Sequence, residues 1–166
     1  MCTIEEKEIY ADLGILSTRF ANIEQIIHDL MVKIIVRDSS DLDELFGVTP
    51  IENQPLSKRL SLLEKLNRFN NFYSDRVLEV IELIKPKMSV RNYFIHGIWT
   101  IGKKNIQIEN KKIKFTQRSD GRTWRYGGAK HILPEDLKNL NKELLAIIEK
   151  GQSILDDIEN YGFERS

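Results

Sequence analysis

The chain has 166 residues, 41% hydrophobic and 30% charged, with 25 Lys/Arg against 25 Asp/Glu. That length suits one domain with a sizeable core, and the apolar runs are too short for a helix that crosses a bilayer. Cys2 is the only cysteine, which excludes an internal disulfide, and His28, His96 and His131 are scattered without zinc-ligand spacing, so neither metal nor cofactor is expected.

The start, Met1-Cys2-Thr3-Ile4-Glu5-Glu6, is acidic rather than basic-then-apolar, so the expectation is a cytoplasmic protein with no membrane partner. Thr3 and Glu6 form a capping box that opens a helix. Ile9, Leu13, Leu16, Phe20, Ile23, Ile27, Leu30 and Ile34 then step by four and three, which predicts a helix to about Arg37. Asp38 to Gln54 reads as a loop with a short turn at Leu42 to Phe46. Pro55 suits the first turn of a second helix carrying Leu56, Leu60, Leu63, Leu66 and Phe69, and Asn70-Asn71 stops it.

Ser74 or Asp75 caps a third helix running toward His96, with a kink or short break near Lys85 because Pro86 interrupts it; Gly97 ends it. From Ile98 to Tyr126 the period changes to two. Asn105 to Glu109, Asn110-Lys111, and Lys112 to Thr116 read as a β-hairpin, with flanking strands at Ile98 to Ile101 and Thr123 to Tyr126. Pro134 opens a last helix with Leu137, Leu140, Leu144, Ile147, Ile154, Ile158 and Tyr161 in register. Gly151 falls in the same seam, which allows close approach or a bend. The fold class is therefore mainly all-α. The expected form is an up-down bundle of four main helices forming one domain over 1–166, with a β-meander inserted at about 98–127. The long first and last helices also have enough seam to pack against a second copy.

The even charge balance hides a concentration. Residues 98–130 hold nine Lys/Arg and two Asp/Glu, a net of +7, while 1–97 and 131–166 are both net acidic. Lys103, Lys104, Lys111, Lys112, Lys114, Arg118, Arg122 and Arg125 interleave with Phe115, Trp124 and Tyr126. Cations hold a phosphate backbone and aromatics stack on bases, so these basic residues and Trp124 are the candidate RNA-binding set.

The sharpest feature is Arg91-Asn92-Tyr93-Phe94-Ile95-His96-Gly97. Val77, Ile81, Ile84, Met88, Ile95 and Ile98 follow the seam spacing, and the step between Met88 and Ile95 falls on Arg91. A charge in an apolar seam costs stability unless it is paired or wetted. On a helix Asn92 and His96 lie about 40° apart around the axis, whereas Arg91 and His96 lie about 140° apart. Two copies meeting across a two-fold axis would bring each Arg to the other's His, so this chemistry calls for a dimer. A His near neutrality moves a proton and an Arg fork holds a phosphate. Together they are the parts needed to cleave RNA through its own 2′-hydroxyl without a metal.

An Arg, a polar residue, and a His four residues further on near a helix end resemble the motif of the HEPN domain superfamily, carried here by Arg91-Asn92 and His96. The likeness covers residues 3–97 and 134–161. It implies a homodimeric, metal-independent endoribonuclease of the kind found in toxin–antitoxin and antiphage systems. Arg91, Asn92 and His96 would be catalytic, and an antitoxin or regulatory protein would be a further partner. The β-meander is outside the minimal family core. Members paired with a nucleotidyltransferase antitoxin carry a Tyr two residues past the His; Ile98 stands there, so regulation through that Tyr is not implied. The alternative expectation is a non-catalytic binding or regulatory module of the same fold, in which Arg91 pairs with a carboxylate such as Glu82 or Asp75 and His96 caps the helix C-terminus.

Overall fold

The computed structural model describes residues 4–36, 54–70, 74–96, 98–101, 106–109, 114–118, 121–125 and 129–161. These are mostly helical. The helices are α1 (Ile4–Val36), α2 (Leu56–Asn70), α3 (Ser74–Ile84), α4 (Lys87–His96) and α5 (Pro134–Tyr161). Thr3, Gly97, the 38–53 part of the expected loop and the Asn110-Lys111 turn lie outside the described residues. Among the described residues no helix is long and apolar enough to cross a membrane.

Most helix-seam positions read from spacing are buried, but Leu66 in α2 and Leu140 in α5 are only half-buried. All eight expected positions of α1, from Ile9 to Ile34, are buried, joined by Ile26 and Met31. In α5, Leu137, Leu144, Ile147, Ile154 and Ile158 are buried, but Tyr161 is 71% exposed, so the seam ends one turn before the helix does. Each fully buried aliphatic side chain contributes about 1.5–3 kcal/mol, so it is these seams rather than helix propensity that hold the long helices.

The helix starts show their chemistry. The Pro55 carbonyl accepts from the Lys58 and Arg59 amides, opening α2. At the head of α5 the Leu133 amide donates to Asp136 Oδ2 at 3.2 Å, and the Leu137 amide donates to the Leu133 carbonyl. This is half of a capping box, with Pro134 at a position where its missing N–H costs nothing.

The contacts group the chain into two compact units: Met1–Ser17 with Ser89–Lys142, and Thr18–Met88 with Glu143–Ser166. The division falls within α1, α4 and α5, so each unit contains a part of all three. In the second unit α2 packs on α3, and α1 approaches α5 closely. A Cβ placed on Gly151 would stand 2.6 Å from Ile26 Cγ2, so Gly151 is the residue that permits this approach. Arg59 Nη2 bonds Glu24 Oε2 at 2.8 Å, a half-buried pair between α2 and α1. In the first unit Asn141 is buried, and its side-chain amide donates to the Asp12 carbonyl at 3.0 Å, tying the start of α5 to the start of α1.

The strands are β1 (Ile98–Ile101), β2 (Ile106–Glu109), β3 (Lys114–Arg118), β4 (Gly121–Arg125) and β5 (Ala129–Ile132). Their partners differ from the expected hairpin. β2 pairs antiparallel with β1 and β5 in one sheet, while β3 pairs with β4 in another. In register, Ile101, Ile106 and Ile132 form one cross-strand row, Thr100, Gln107 and His131 the next, and Trp99, Ile108 and Lys130 the one after.

Candidate functional site

The site begins at the Pro86 break. Pro86 has no amide hydrogen and its ring blocks the preceding turn, so the helix stops: α3 ends at Ile84 and α4 begins at Lys87. The Lys85 amide still reaches the Ile81 carbonyl at 3.0 Å, and the Met88 amide reaches back three residues to the Lys85 carbonyl at 3.3 Å. Lys85 Nζ bridges Glu82 Oε1 at 2.6 Å and Glu64 Oε2 at 3.2 Å, which ties the turn to α2. The ammonium bonded to it holds the Glu64 carboxyl below the usual carboxylate range. The Lys85 ammonium is raised in turn, first by its bond to Glu82 and then by its bond to Glu64.

In α3, Val77, Val80, Ile81 and Ile84 are buried. Among the α4 residues whose burial is described, Phe94 is buried while Met88, Arg91 and Asn92 are half-buried. Arg91 stands three residues before Phe94, about 60° around the helix from it. Lys87 Nζ bonds Glu143 Oε2 at the head of α4, and Phe94 anchors its last turn.

Arg91 Nη1 donates to Asn92 Oδ1 at 3.2 Å. This bond draws the guanidinium round toward Asn92, and Asn92 precedes His96, the last residue of α4, by one turn. Spacing alone left Arg91 and His96 on different sides of the axis; the side-chain bond connects Arg91 to the face of Asn92. The sequence signal for that bond was the adjacency of a carboxamide to the Arg, although helical neighbours do not ordinarily face each other.

Of the nine candidate RNA-binding residues, Lys114 and Arg118 lie on β3, and Arg122, Trp124 and Arg125 on β4. Lys103, Lys104, Lys111 and Lys112 lie outside the described residues. Two open grooves of about 420 and 430 Å³ belong to the second unit. One is lined by residues that include Arg76, Glu79, Lys150 and Ser153, the other by Glu24, Gln25, His28 and Arg59; neither is lined by Arg91 or Asn92. Among the described residues no group of three His, Cys, Asp or Glu is placed to hold a metal ion. Comparison with protein-family models, with curated proteins and with solved structures found no match.

Proposed function

We propose that the chain is a cytoplasmic, metal-independent endoribonuclease of HEPN type, built as an up-down bundle and active as a homodimer. The observation that carries this reading is the Arg91–Asn92 side-chain bond at 3.2 Å on a short helix that ends at His96. It supplies a guanidinium fork, held half-buried, on the helix whose last residue is His96. In the reaction His96 takes the proton of an RNA 2′-hydroxyl, and the oxygen attacks the adjacent phosphorus. A P–O2′ bond forms and the P–O5′ bond breaks. The departing 5′ oxygen takes a proton from the imidazolium that His96 has become, and a 2′,3′-cyclic phosphate remains. Arg91 stabilises the charge on the non-bridging oxygens, and Asn92 orients it. The basic segment at 98–130 holds the RNA backbone. A toxin or antiphage role, with an antitoxin or regulatory protein as partner, fits an enzyme of this kind.

Incubation with total RNA in EDTA tests the reading. Wild type is expected to cut and leave 2′,3′-cyclic phosphate ends, and His96→Ala to leave the RNA whole. Light scattering at micromolar concentration is expected to give about twice the monomer mass of 19.4 kDa. Intact RNA with wild type, or a clean monomer at every concentration, would remove the composite site.

A further inference from the structure

α2 differs from the other helices in charge. It holds four Lys/Arg and one Glu, a net of +3. α1 holds three against six, α3 one against three, and α5 three against seven. α4, with two Lys/Arg and no acid, is the other basic helix. Lys58, Ser61, Lys65 and Arg68 follow one another by three, four and three residues, so they form one stripe about 15 Å long. All four are exposed, while Leu56, Leu60 and Leu63 are buried on the opposite side of the helix. The stripe is not built as a solvated face usually is, with the two signs alternating at three or four residues. Neither Lys58 nor Lys65 has an acid at those spacings, and the neighbour of Lys65 three residues on is Arg68. Lys58 lies in the first turn, where α1, α3 and α5 carry acids and where a cation opposes the helix dipole. Glu64, the one carboxylate of α2, is half-buried and shared between Arg68 at 2.8 Å and Lys85 at 3.2 Å. Among the described residues Lys58 and Lys65 bond no carboxylate. Each of these features costs the free helix stability, and each turns favourable when an anion lies along the stripe.

We infer that the Lys58–Ser61–Lys65–Arg68 face of α2 is a binding surface for the phosphate backbone of RNA. It shares no residue with Arg91, Asn92 and His96 or with the basic segment at 98–130, and it rests on the reading of RNA as substrate. The charge complementarity is with a polymer that repeats its anion along a line. The lysines meet it as point charges, and the Arg68 guanidinium, its side chain 69% exposed, offers a fork to the phosphate oxygens. The exposed Ser61 hydroxyl, which donates to the Ser57 carbonyl at 3.1 Å, stands between the two lysines. An anionic membrane does not fit. A helix that binds one lays an apolar face into it, whereas the apolar face of α2 is buried and Leu62, 37% exposed, is its one open large apolar side chain among the described residues. No aromatic side chain is exposed on the described part of α2, so the surface holds backbone and does not read bases.

The test is fluorescence anisotropy of the full chain with a labelled single-stranded 2′-O-methyl RNA, which cannot be cut through its 2′ oxygen, over a series of salt concentrations. Lys58→Gln with Lys65→Gln is expected to flatten the slope of log K against log salt by about 1.4, from two lost phosphate contacts, and to weaken binding about 25-fold at about 0.1 M salt. Adding Arg68→Gln is expected to bring the loss of slope to about 2.1. Lys58→Arg with Lys65→Arg keeps the charge and is expected to bind like wild type. Lys7→Gln with Lys138→Gln removes the same charge from exposed lysines of the acidic α1 and α5, and is expected to leave the slope as it is. The melting temperature of the Lys58→Gln, Lys65→Gln protein is expected to hold or rise, because a cation leaves the first turn; a lower one would make these lysines structural and overturn the inference. If that protein binds like wild type, or if the Lys7 and Lys138 changes cost as much slope, the stripe is a solvated face and the RNA reading stands without it. If wild type binds no RNA at about 0.05 M salt, both fall together. Binding to phosphatidylserine vesicles but not to RNA would make the partner a membrane and also remove both. RNA binding that needs Lys58 and Lys65, by a protein that cuts nothing, would leave this inference in place and remove the catalytic one.

Discussion

α3 and α4 are consecutive helices separated by two residues, and they are held in opposite ways. α3 buries four of its eleven residues, all aliphatic, and its register is fixed by that burial. α4 buries Phe94 and keeps a guanidinium and a carboxamide half-buried and bonded to each other. The first arrangement is what packing alone selects. The second gives up apolar contact to hold polar groups at the edge of a buried face, and such departures from the local rule concentrate where a protein works. The lesson lies in Pro86: it ends α3 at Ile84, so the half-buried Arg91 and Asn92 stand on a separate helix that follows the break.

Substitutions at matched depth break this comparison most sharply. Arg91→Leu is expected to lower RNA cleavage by about 10²–10³-fold, as for loss of one group that stabilises transition-state charge. Its melting temperature is expected to match or exceed that of wild type, because a half-buried cation is replaced by an apolar side chain of similar size. Ile81→Ala should do the reverse. It costs about 2–5 kcal/mol of stability from a fully buried position, with cleavage per folded molecule unchanged. A melted Arg91→Leu protein would mean that α4 is held by the same logic as α3.

A second substitution sharpens the packing side. Gly151→Ala adds a methyl where Ile26 Cγ2 stands 2.6 Å away, and the β-branched Ile has little rotamer freedom to yield. Overpacking costs about 1–3 kcal/mol, against about 1 kcal/mol gained from better helix propensity. The expected net loss is small but measurable in denaturant, and Ile26→Ala in the same chain should relieve part of it. Strict additivity of the two changes would show that Gly151 is not there for close approach.

The smallest expected effect is at the turn between the two helices. Glu64 is lowered by its bond from Lys85, so its contribution is present above the unfolded carboxylate value and is lost as pH falls through the lowered folded value. Lys85 is raised, so its contribution is full below the unfolded lysine value and is lost as pH rises through the raised folded value. The difference in melting temperature between wild type and Lys85→Ala is therefore expected to be level between those limits and to narrow at both the acid and the strongly alkaline ends. Because the side chains are solvent-exposed, salt should shrink it further. A difference that ignored pH would separate the turn from these ion pairs.

What the sequence determined by itself was every property carried by local periodicity. The seams of α1 and α5 were legible because burial repeats at the spacing of a helix turn, and Ile9 to Ile34 obey it without exception. The interruption near Lys85 was legible because a proline forbids one specific bond, and Gly151 because only a glycine in a seam invites another backbone. The tertiary structure alone decided what depends on residues distant in sequence or on side-chain direction. β2 pairs with β1 and with the distant β5, which no single hairpin pattern encodes. In α4 the structure alone decided that Phe94 is buried and that Arg91 is half-buried. The bond from Arg91 to Asn92 is a matter of rotamers, and it is the link on which the proposed chemistry rests.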